Sequence, residues 1–572
     1  MFNGVRFLAV ALGLGAALSC AGDDETFVSP NSDAASLLVR DEKGFQSLRE
    51  RMPVADDLVV LRLGAAWCGP CQWHIKNDAS LLSEAAQKRV RFVDIVLRGA
   101  ENALPQLADL DTIRALRGDG GAVYADPSLA VYEHASKIAG AHSIPLPSYV
   151  ILDGRDLHTR GVVVSSEAVY LSYKLRSELQ DVTGQKFADV SPEVSASGFD
   201  PDVWALLQGM ARTDARRLDP SNAFADNQEA ANIGAELFSN AALSPSGKVS
   251  CQSCHDPSHG FSDPRAVSVE AGVGTRNAPS LLTMARRHSF FWDGRADALW
   301  TQALGPFEND AEYASARGLV VKRVLSRYGA RWSTLFGEQP WQSSELAQIA
   351  DDARPGRASW TRLPAALRER VNASFVNVGK AIAAFERTLQ SKDTRFDAYV
   401  RGDRTALTAV ERDGLARFLV NGCAQCHWGP DLTDDAYHVI RFASGRQDGR
   451  PDTGRSGGIA ALQHAEFSAN GPWADTRNQS TMPRPEAHLR GAFKTPSLRA
   501  IADTAPYGHG GNLATLEDML ALYQVPGLPD TDARATGVTE HWVVHFHESD
   551  IPSMAAFLRV LTDKTPNALA RD

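Results

Sequence analysis

The sequence predicts a multidomain protein, with an α/β domain first and a longer region after it that carries two copies of a cysteine–histidine motif. The chain has 572 residues, which is too long for a single hydrophobic core. An apolar run, LVVLRL at 58–63, leads into WCGPC at 67–71. The pentads CQSCH at 251–255 and CAQCH at 423–427 follow further along the chain.

The N-terminus has the composition of an export signal. Arg6 precedes the apolar stretch 7–18, which is too short for a stable transmembrane helix, and small residues lead from there to Cys20. The segment 1–20 resembles a bacterial lipoprotein signal, with Cys20 as the lipidated residue. Ala17 stands where leucine is usual, so cleavage without a lipid is the alternative. Either way we expect a periplasmic protein of the cell envelope. If Cys20 is lipidated, the lipid anchor is the only expected attachment to a membrane.

Composition narrows the classes of function. Hydrophobic residues make up 44% and charged residues 22% of the chain, which is ordinary for a soluble globular protein. The formal net charge of −10 argues against nucleic-acid binding. The seven cysteines are one in the signal, two in WCGPC and two in each pentad. No cysteine remains for a separate structural disulfide, so the cysteines are expected to serve chemistry.

The first domain is predicted around WCGPC. A cysteine between a strand and a helix N-terminus has its thiolate stabilised by the helix dipole, so Cys68 is expected to attack and Cys71 to resolve. RFVDIVL at 91–97 is the next predicted strand, and SIPLPSYVILD at 143–153 reads as a buried strand entered through a proline. The alternatives are a structural disulfide or half of a zinc site, but no second CxxC without histidine completes a zinc site.

Residues 37–185 resemble the thioredoxin family. The resemblance implies a cis peptide bond before Pro147, facing the CxxC motif, and a thiol partner for the domain. One departure is Arg62, which stands where thioredoxins often carry a buried acid. The polar stretch 186–204, rich in Gly, Pro and Ser, is predicted to be the linker.

The two CxxCH pentads are typical of covalently bound haem c. The cysteine thiolates add to the two vinyl groups of haem, and the adjoining histidine reaches the iron. We therefore expect two haem c groups. The first would be attached through Cys251, Cys254 and His255, and the second through Cys423, Cys426 and His427.

Further motifs surround the pentads: RNAPSLL at 276–282, FFWDGRADALWTQALGPFENDAEY at 290–313, FKTPSLR at 493–499 and TAPYGHGG at 504–511. Together with the pentads they resemble the bacterial di-haem cytochrome c peroxidase and MauG superfamily over residues 204–565. The resemblance implies a mostly α-helical pair of haem c domains. The first, at 205–400, would be peroxidatic, and the second, at 401–565, would transfer electrons.

The resemblance also implies roles for individual residues. Trp292 matches the tryptophan between the two haems, where it can relay electrons. Gln302 and Glu312 match the distal pair of the peroxide-binding haem. Breaking the peroxide bond needs a proton moved from the inner to the outer oxygen, which suits a positioned carboxylate.

A calcium ion between the haems is implied as well. Asn277, Thr504 and Pro506 match the residues around it, and calcium takes oxygen ligands from side chains and backbone carbonyls.

The distal iron ligands decide the subfamily. Family members that need reductive activation have a histidine in the loop before RNAP, but DPRAVSVEAGVGT at 263–275 contains none. His259 lies too close to its own haem site to cover the far face. At the second haem, Tyr523 falls where the peroxidases have methionine and MauG-like proteins have tyrosine. Met519, one helical turn earlier, is the competitor.

These features predict a MauG-like oxidoreductase that uses hydrogen peroxide to oxidise a protein or another donor, with an attached thioredoxin-like thiol-redox domain. One alternative is a detoxifying cytochrome c peroxidase fed by a small cytochrome c or cupredoxin. Another is a thiol–haem electron-transfer module without peroxidase turnover. The alternatives differ in whether peroxide reacts at all and in which donor supports turnover.

Overall fold

The computed structural model describes residues 34–52, 56–139, 141, 144–164, 171–187, 199, 201–442, 450–477, 482–524, 536–540 and 546–562. Cys20, with the signal predicted over 1–20, lies outside these residues, and so does most of the linker predicted over 186–204. The last residues of that linker belong to a helix, Pro201–Gln208. In these described ranges no helix combines the length and the apolar character needed to cross a bilayer.

The N-terminal region is built on one seven-stranded sheet. Its strands are β1 (Leu38–Asp41), β2 (Gly44–Ser47), β3 (Leu58–Ala65), β4 (Val90–Arg98), β5 (Val123–Ala125), β6 (Ser148–Asp153) and β7 (Thr159–Val163). The strand order is β2-β1-β5-β4-β3-β6-β7. Strand β3 pairs with β4 in parallel and with β6 antiparallel. Both neighbours cover its edges, as the nearly continuous apolar sequence of a buried central strand predicts.

Helices flank this sheet: α1 (Leu48–Arg51), α2 (Gly69–Asn77), α3 (Ala79–Gln87), α4 (Leu107–Arg117), α5 (Ala130–Ile138) and α6 (Leu171–Thr183). The CxxC motif joins the end of β3 to the start of α2, and the peptide bond before Pro147 is cis. This arrangement confirms the predicted thioredoxin-like fold. Arg62, at the position of the departure from the family pattern, is buried and pairs with Asp94 at 2.6 Å and Asp78 at 3.0 Å.

The rest of the described chain is mainly helical, with long ordered loops, as predicted. Its helices are α7 (Pro201–Gln208), α8 (Gln228–Phe238), α9 (Leu299–Glu308), α10 (Arg317–Phe336), α11 (Ser343–Leu346), α12 (Ala358–Thr361), α13 (Ala365–Glu386), α14 (Arg395–Val400), α15 (Ala409–Val420), α16 (Arg455–Gln463), α17 (Leu516–Ala521) and α18 (Ile551–Val560). Two short strands, β8 (Tyr437–His438) and β9 (Phe493–Lys494), pair antiparallel.

Two hydrophobic cores organise the helical region, and the chain crosses between them. Helices α8, α9, α10 and α13 enclose the first core, and α15, α17 and α18 enclose the second. Helix α7 packs into the second core, although it precedes the first in sequence. Phe467 and Trp473 pack on the first core from within the later segment. Each core therefore takes residues from both sides of residue 400.

A buried arginine ties the segments of the second core together. Arg499 donates from Nη1 to Asp397 at 2.7 Å, from Nε to the carbonyl of Pro430 at 2.8 Å and from Nη2 to the carbonyl of Met210 at 2.8 Å. Its side chain and that of Asp397 are both 0% exposed. A buried charge needs partners. The Arg499 side chain therefore fixes the segments that contain Met210, Asp397 and Pro430 relative to one another.

Candidate functional site

Each CxxCH pentad folds as one turn of 3-10 helix. The turns span Cys251–Ser253 and Cys423–Gln425. The histidine that follows donates its backbone N–H to the carbonyl of the first cysteine, at 3.0 Å in the first pentad and 2.9 Å in the second. The tight turn holds the two sulfur atoms and the imidazole of a pentad together in one short stretch of chain.

The two histidines are oriented in the same way. Nδ1 of His255 lies 3.0 Å from the carbonyl oxygen of Phe261, and Nδ1 of His427 lies 3.1 Å from that of Leu432. Phe261 and Leu432 both have left-handed backbone, with φ of 58° and 54°. Since Nδ1 donates to a carbonyl, Nε2 is left as the metal-binding atom. Burial lowers the pKa of both histidines, which favours the neutral form that binds metal.

The residues present fit covalent haem at the second pentad, and the first pentad repeats the same placement of its cysteines and histidine. All four pentad cysteines are free thiols. A large, mostly apolar cavity opens beside the second pentad and is lined by Cys423, Cys426 and His427. On α9, Oε1 of Gln302 is buried and has no hydrogen-bond partner among the described residues, which suits a group waiting for a ligand.

Glu312 lies in the turn after α9, close to the first pentad. The next residue, Tyr313, donates its hydroxyl to Sγ of Cys251 at 3.3 Å. Nδ2 of Asn309 donates to Oε1 of Glu312 at 2.6 Å. Burial raises the pKa of Glu312, and the opposing effects of Arg295 and Asn309 are smaller. Tyr313 was not predicted as a site residue, although an aromatic residue directly follows the predicted acid in the sequence.

Four of the sequence motifs meet around Trp292. Its Nε1 donates to the carbonyl of Asn277 at 2.9 Å, and the backbone N–H of Asn277 donates to the carbonyl of His509 at 2.9 Å. The His509 ring stacks on Phe493 with 3.5 Å between ring centroids. Trp292, Asn277 and His509 line the cavity that also contains the second pentad. His509 belongs to the motif TAPYGHGG, but no role was predicted for it because its neighbours Asn277 and Phe493 are distant in sequence.

The residues predicted around calcium lie on the same cavity. Nδ2 of Asn277 donates to the carbonyls of Asp263 at 3.1 Å and Arg265 at 2.9 Å. Oγ1 of Thr504 donates to the carbonyl of Ile501 at 3.1 Å, and the bond before Pro506 is cis. Asn277, Thr504 and Pro506 thus all line this cavity.

Both candidates for the distal ligand of the second haem line this cavity. Tyr523 lies beside Phe442 and Phe546, with ring centroids 6.0 Å and 6.1 Å away. Burial raises the pKa of Tyr523. Met519, on α17, borders the same space. Tyr523 therefore remains a prediction, with Met519 as its competitor.

Cys68 and Cys71 form a disulfide at the N-terminus of α2. Sγ of Cys68 accepts a hydrogen bond from the backbone N–H of Cys71 at 3.2 Å. The carbonyl of Leu146, just before the cis proline Pro147, lies 4.0 Å from Cys68 Sγ. Two neighbours of the disulfide contact the helical region: Gly69 lies against Trp428, and the backbone N–H of Leu146 donates to Gln425.

Comparison with known proteins assigns the helical region. A family model for di-haem cytochrome c peroxidase matches residues 228–405. Cytochrome c551 peroxidase of Nitrosomonas europaea is 30% identical over 346 residues, which cover 60% of this chain and 82% of that protein. The chain belongs to the di-haem cytochrome c peroxidase family. Methylamine utilization protein MauG of Methylorubrum extorquens is 33% identical over 332 residues, covering 58% of this chain and 77% of that protein.

Membership of the di-haem peroxidase family makes the protein an oxidoreductase with haem c cofactors, a peroxide substrate and an electron donor. A solved structure of a thiol:disulfide interchange protein DsbE from Chlorobium tepidum aligns with 27% of this chain and 99% of that chain, at 17% identity and a TM-score of 0.20.

Proposed function

We propose that this chain is an exported, MauG-like di-haem peroxidase that uses hydrogen peroxide to oxidise a protein partner. Its thiol-redox domain would span 37–185, and its haem-bearing domains 205–400 and 401–565. The observation that carries the proposal is the position of Trp292. This residue is held by Asn277, next to the loop of the first pentad, and lines the cavity of the second pentad. A route for oxidising equivalents between the two haems needs such a residue.

The first haem, when bound, supplies the iron at which the peroxide bond is broken. Glu312 is the residue proposed to accept a proton from the inner peroxide oxygen and to return it to the outer one. The unpaired amide oxygen of Gln302 can accept a hydrogen bond from the peroxide. Because Glu312 and Gln302 would already be in position when peroxide binds, less reorganisation would be needed at the transition state.

Calcium is proposed at Asn277, Thr504 and Pro506. The cluster offers backbone carbonyls and an amide oxygen, which are ligands that calcium accepts. Because Asn277 also holds Trp292, an ion there would stiffen the connection between the two haem sites.

Localisation in the periplasm with a lipid on Cys20 also remains a proposal, supported by the composition of residues 1–20.

A detoxifying peroxidase fed by a small electron carrier is the second candidate, and Met519 favours it. A thioether on the second iron would stabilise the reduced state and make that haem a port for electrons. Met519 lines the same cavity as Tyr523.

The deciding experiment compares a single reaction with steady turnover. The diferric holoprotein is mixed with one equivalent of peroxide, and peroxide consumption is then followed with excess reduced cytochrome c or cupredoxin. A MauG-like enzyme should react fast in the first step and turn over slowly with either carrier. Rapid turnover with a small carrier would favour the detoxifying peroxidase, and no reaction with peroxide would remove both proposals.

A further inference from the structure

The disulfide of the thioredoxin-like domain is packed directly against the second haem-attachment loop. Gly69 lies between the two cysteines, and a Cβ atom there would fall 2.3 Å from Cε3 of Trp428. Trp428 follows the iron ligand His427 in sequence. Only a glycine therefore allows the CxxC turn to approach the indole this closely.

A hydrogen bond fixes the same contact at the groove beside the disulfide. The backbone N–H of Leu146 donates to Oε1 of Gln425 at 2.9 Å, and the bond is buried. Gln425 is the residue before Cys426 in the pentad CAQCH, and Cys426 packs against the buried cluster that contains Cys68 and Cys71. The pentad thus fills the space beside the cis proline.

A third contact lies on the other side of the CxxC motif. The ring of Trp67 meets the ring of His438 edge to face, with 4.6 Å between centroids. His438 is held between Glu540 at 2.7 Å and Asp434 at 2.9 Å. Nε1 of Trp67 donates to Asn102 at 3.1 Å, and Asn102 in turn donates to Glu540 at 2.7 Å. The interface is therefore tied by a polar network as well as by packing.

These contacts close the disulfide to outside proteins. Cys68 is 0% and Cys71 2% exposed. A protein substrate cannot reach either sulfur atom while the domains are packed together. The redox group within reach of the disulfide is the haem that the second pentad would bind.

We propose that the dithiol of Cys68 and Cys71 is a built-in electron donor to the haem bound at Cys423, Cys426 and His427. This inference rests on the proposed function, because it names the donor of that peroxidase. Oxidation of the dithiol breaks two S–H bonds, forms the S–S bond and releases two electrons and two protons. Reduction of one hydrogen peroxide consumes two electrons and two protons, breaks the O–O bond and gives two water molecules.

The cycle is completed by an external dithiol. Thiol–disulfide exchange at Cys68 would oxidise that dithiol and restore both thiols in the domain. Because Cys68 is buried, this exchange requires the contact with Gln425 and Trp428 to open. Donation to the haem and recharging by the external dithiol therefore occur in different arrangements of the two domains.

The test counts thiols after a single addition of peroxide. The full-length holoprotein is reduced with dithiothreitol, freed of reductant under nitrogen and mixed with one equivalent of peroxide. The reaction is quenched with acid and alkylated, and the labels on Cys68 and Cys71 are counted by mass spectrometry. We expect one disulfide for each peroxide consumed, formed at the rate of peroxide loss.

Two variants test the contact. Gly69→Ala places a methyl group against Trp428 and should slow disulfide formation on the order of tenfold by disturbing the orientation of donor and acceptor. Lys76→Ala, on the exposed side of the same helix α2, should behave as the wild type. Equal rates in Gly69→Ala and the wild type would overturn the proposal.

A separate donor distinguishes this inference from the function on which it rests. If peroxide is consumed with ferrocyanide as donor while Cys68 and Cys71 stay reduced, the dithiol is not the donor and the peroxidase stands. If no donor supports peroxide consumption, both fall. Glu312→Gln should slow peroxide loss and disulfide formation together, whereas direct attack of peroxide on sulfur would leave disulfide formation unchanged. A disulfide that dithiothreitol cannot reduce in the native holoprotein would also overturn the proposal.

Discussion

The Glu312 carboxyl group is partly buried and accepts a hydrogen bond from Asn309. These two features shift its pKa in opposite directions, and burial has the larger effect. Burial raises its pKa because desolvation disfavours the carboxylate. A proton acceptor must be ionised, so the reaction of the diferric protein with peroxide should slow as pH falls through this raised pKa. Glu312→Gln should slow the reaction by about 10²- to 10⁴-fold and remove this pH dependence. Stopped-flow absorbance of the Soret band measures both, and an unchanged profile in the variant would exclude Glu312 as the base.

As ligands of the second haem iron, Tyr523 and Met519 would stabilise opposite oxidation states. A tyrosinate favours oxidised iron, and a thioether favours reduced iron. We expect Tyr523→Phe to keep both haems but to make the second one easier to reduce, as followed by a spectroscopic redox titration. Met519→Leu is the matched control and should leave the titration unchanged. A low-spin spectrum that survives in Tyr523→Phe and disappears in Met519→Leu would assign the methionine instead.

For individual residues, the sequence predicted which pentad side chains attach haem but not which groups orient those side chains. CxxCH identifies the atoms that attach haem because their spacing is local. The carbonyls of Phe261 and Leu432, which orient the imidazoles, depend on a left-handed turn that neither residue type favours. His438 was missed for a related reason, because its partner Glu540 is 102 positions away.

Among the elements, we expect the loop 263–275 to determine whether the resting protein needs reduction before it reacts with peroxide. The loop contains no histidine and is braced internally, with Ser268 donating to Asp263 at 2.7 Å and Arg265 pairing with Glu270 at 3.0 Å. The resting diferric protein should therefore react with one equivalent of peroxide without prior reduction. Rapid-mixing spectra before and after one-electron reduction check this. A response seen only after reduction would reveal an unrecognised sixth ligand on the first iron.

Elements with strong local patterns were the ones predicted correctly. Strand β3 follows from an apolar run, and the cis bond before Pro147 follows from the resemblance to the thioredoxin family. The end of the linker was predicted less well, because α7 starts at Pro201. Its apolar residues gain their partners from α14, α15 and α18, which the local sequence cannot show.

The whole molecule is interlocked through its two cores. Helix α7 packs with the later core, and Phe467 and Trp473 pack with the earlier one. A protease site introduced at Gly402, in the exposed turn between α14 and α15, should give two fragments that stay together. Gel filtration of the cut protein should show one species in buffer and two only in denaturant. Fragments that separate in buffer would show that the cores are independent.

Because α7 packs into the second core, that core cannot be completed until α18 has been synthesised. Helix α7 leaves the ribosome long before α18, the last helix with which its core is completed. Pairing over such sequence separation is slow, because a long loop must close first. The second pentad therefore stays accessible until the end of the chain arrives. We expect covalent haem attachment to precede this closure, because Trp428 packs against Gly69 once the two domains are folded together.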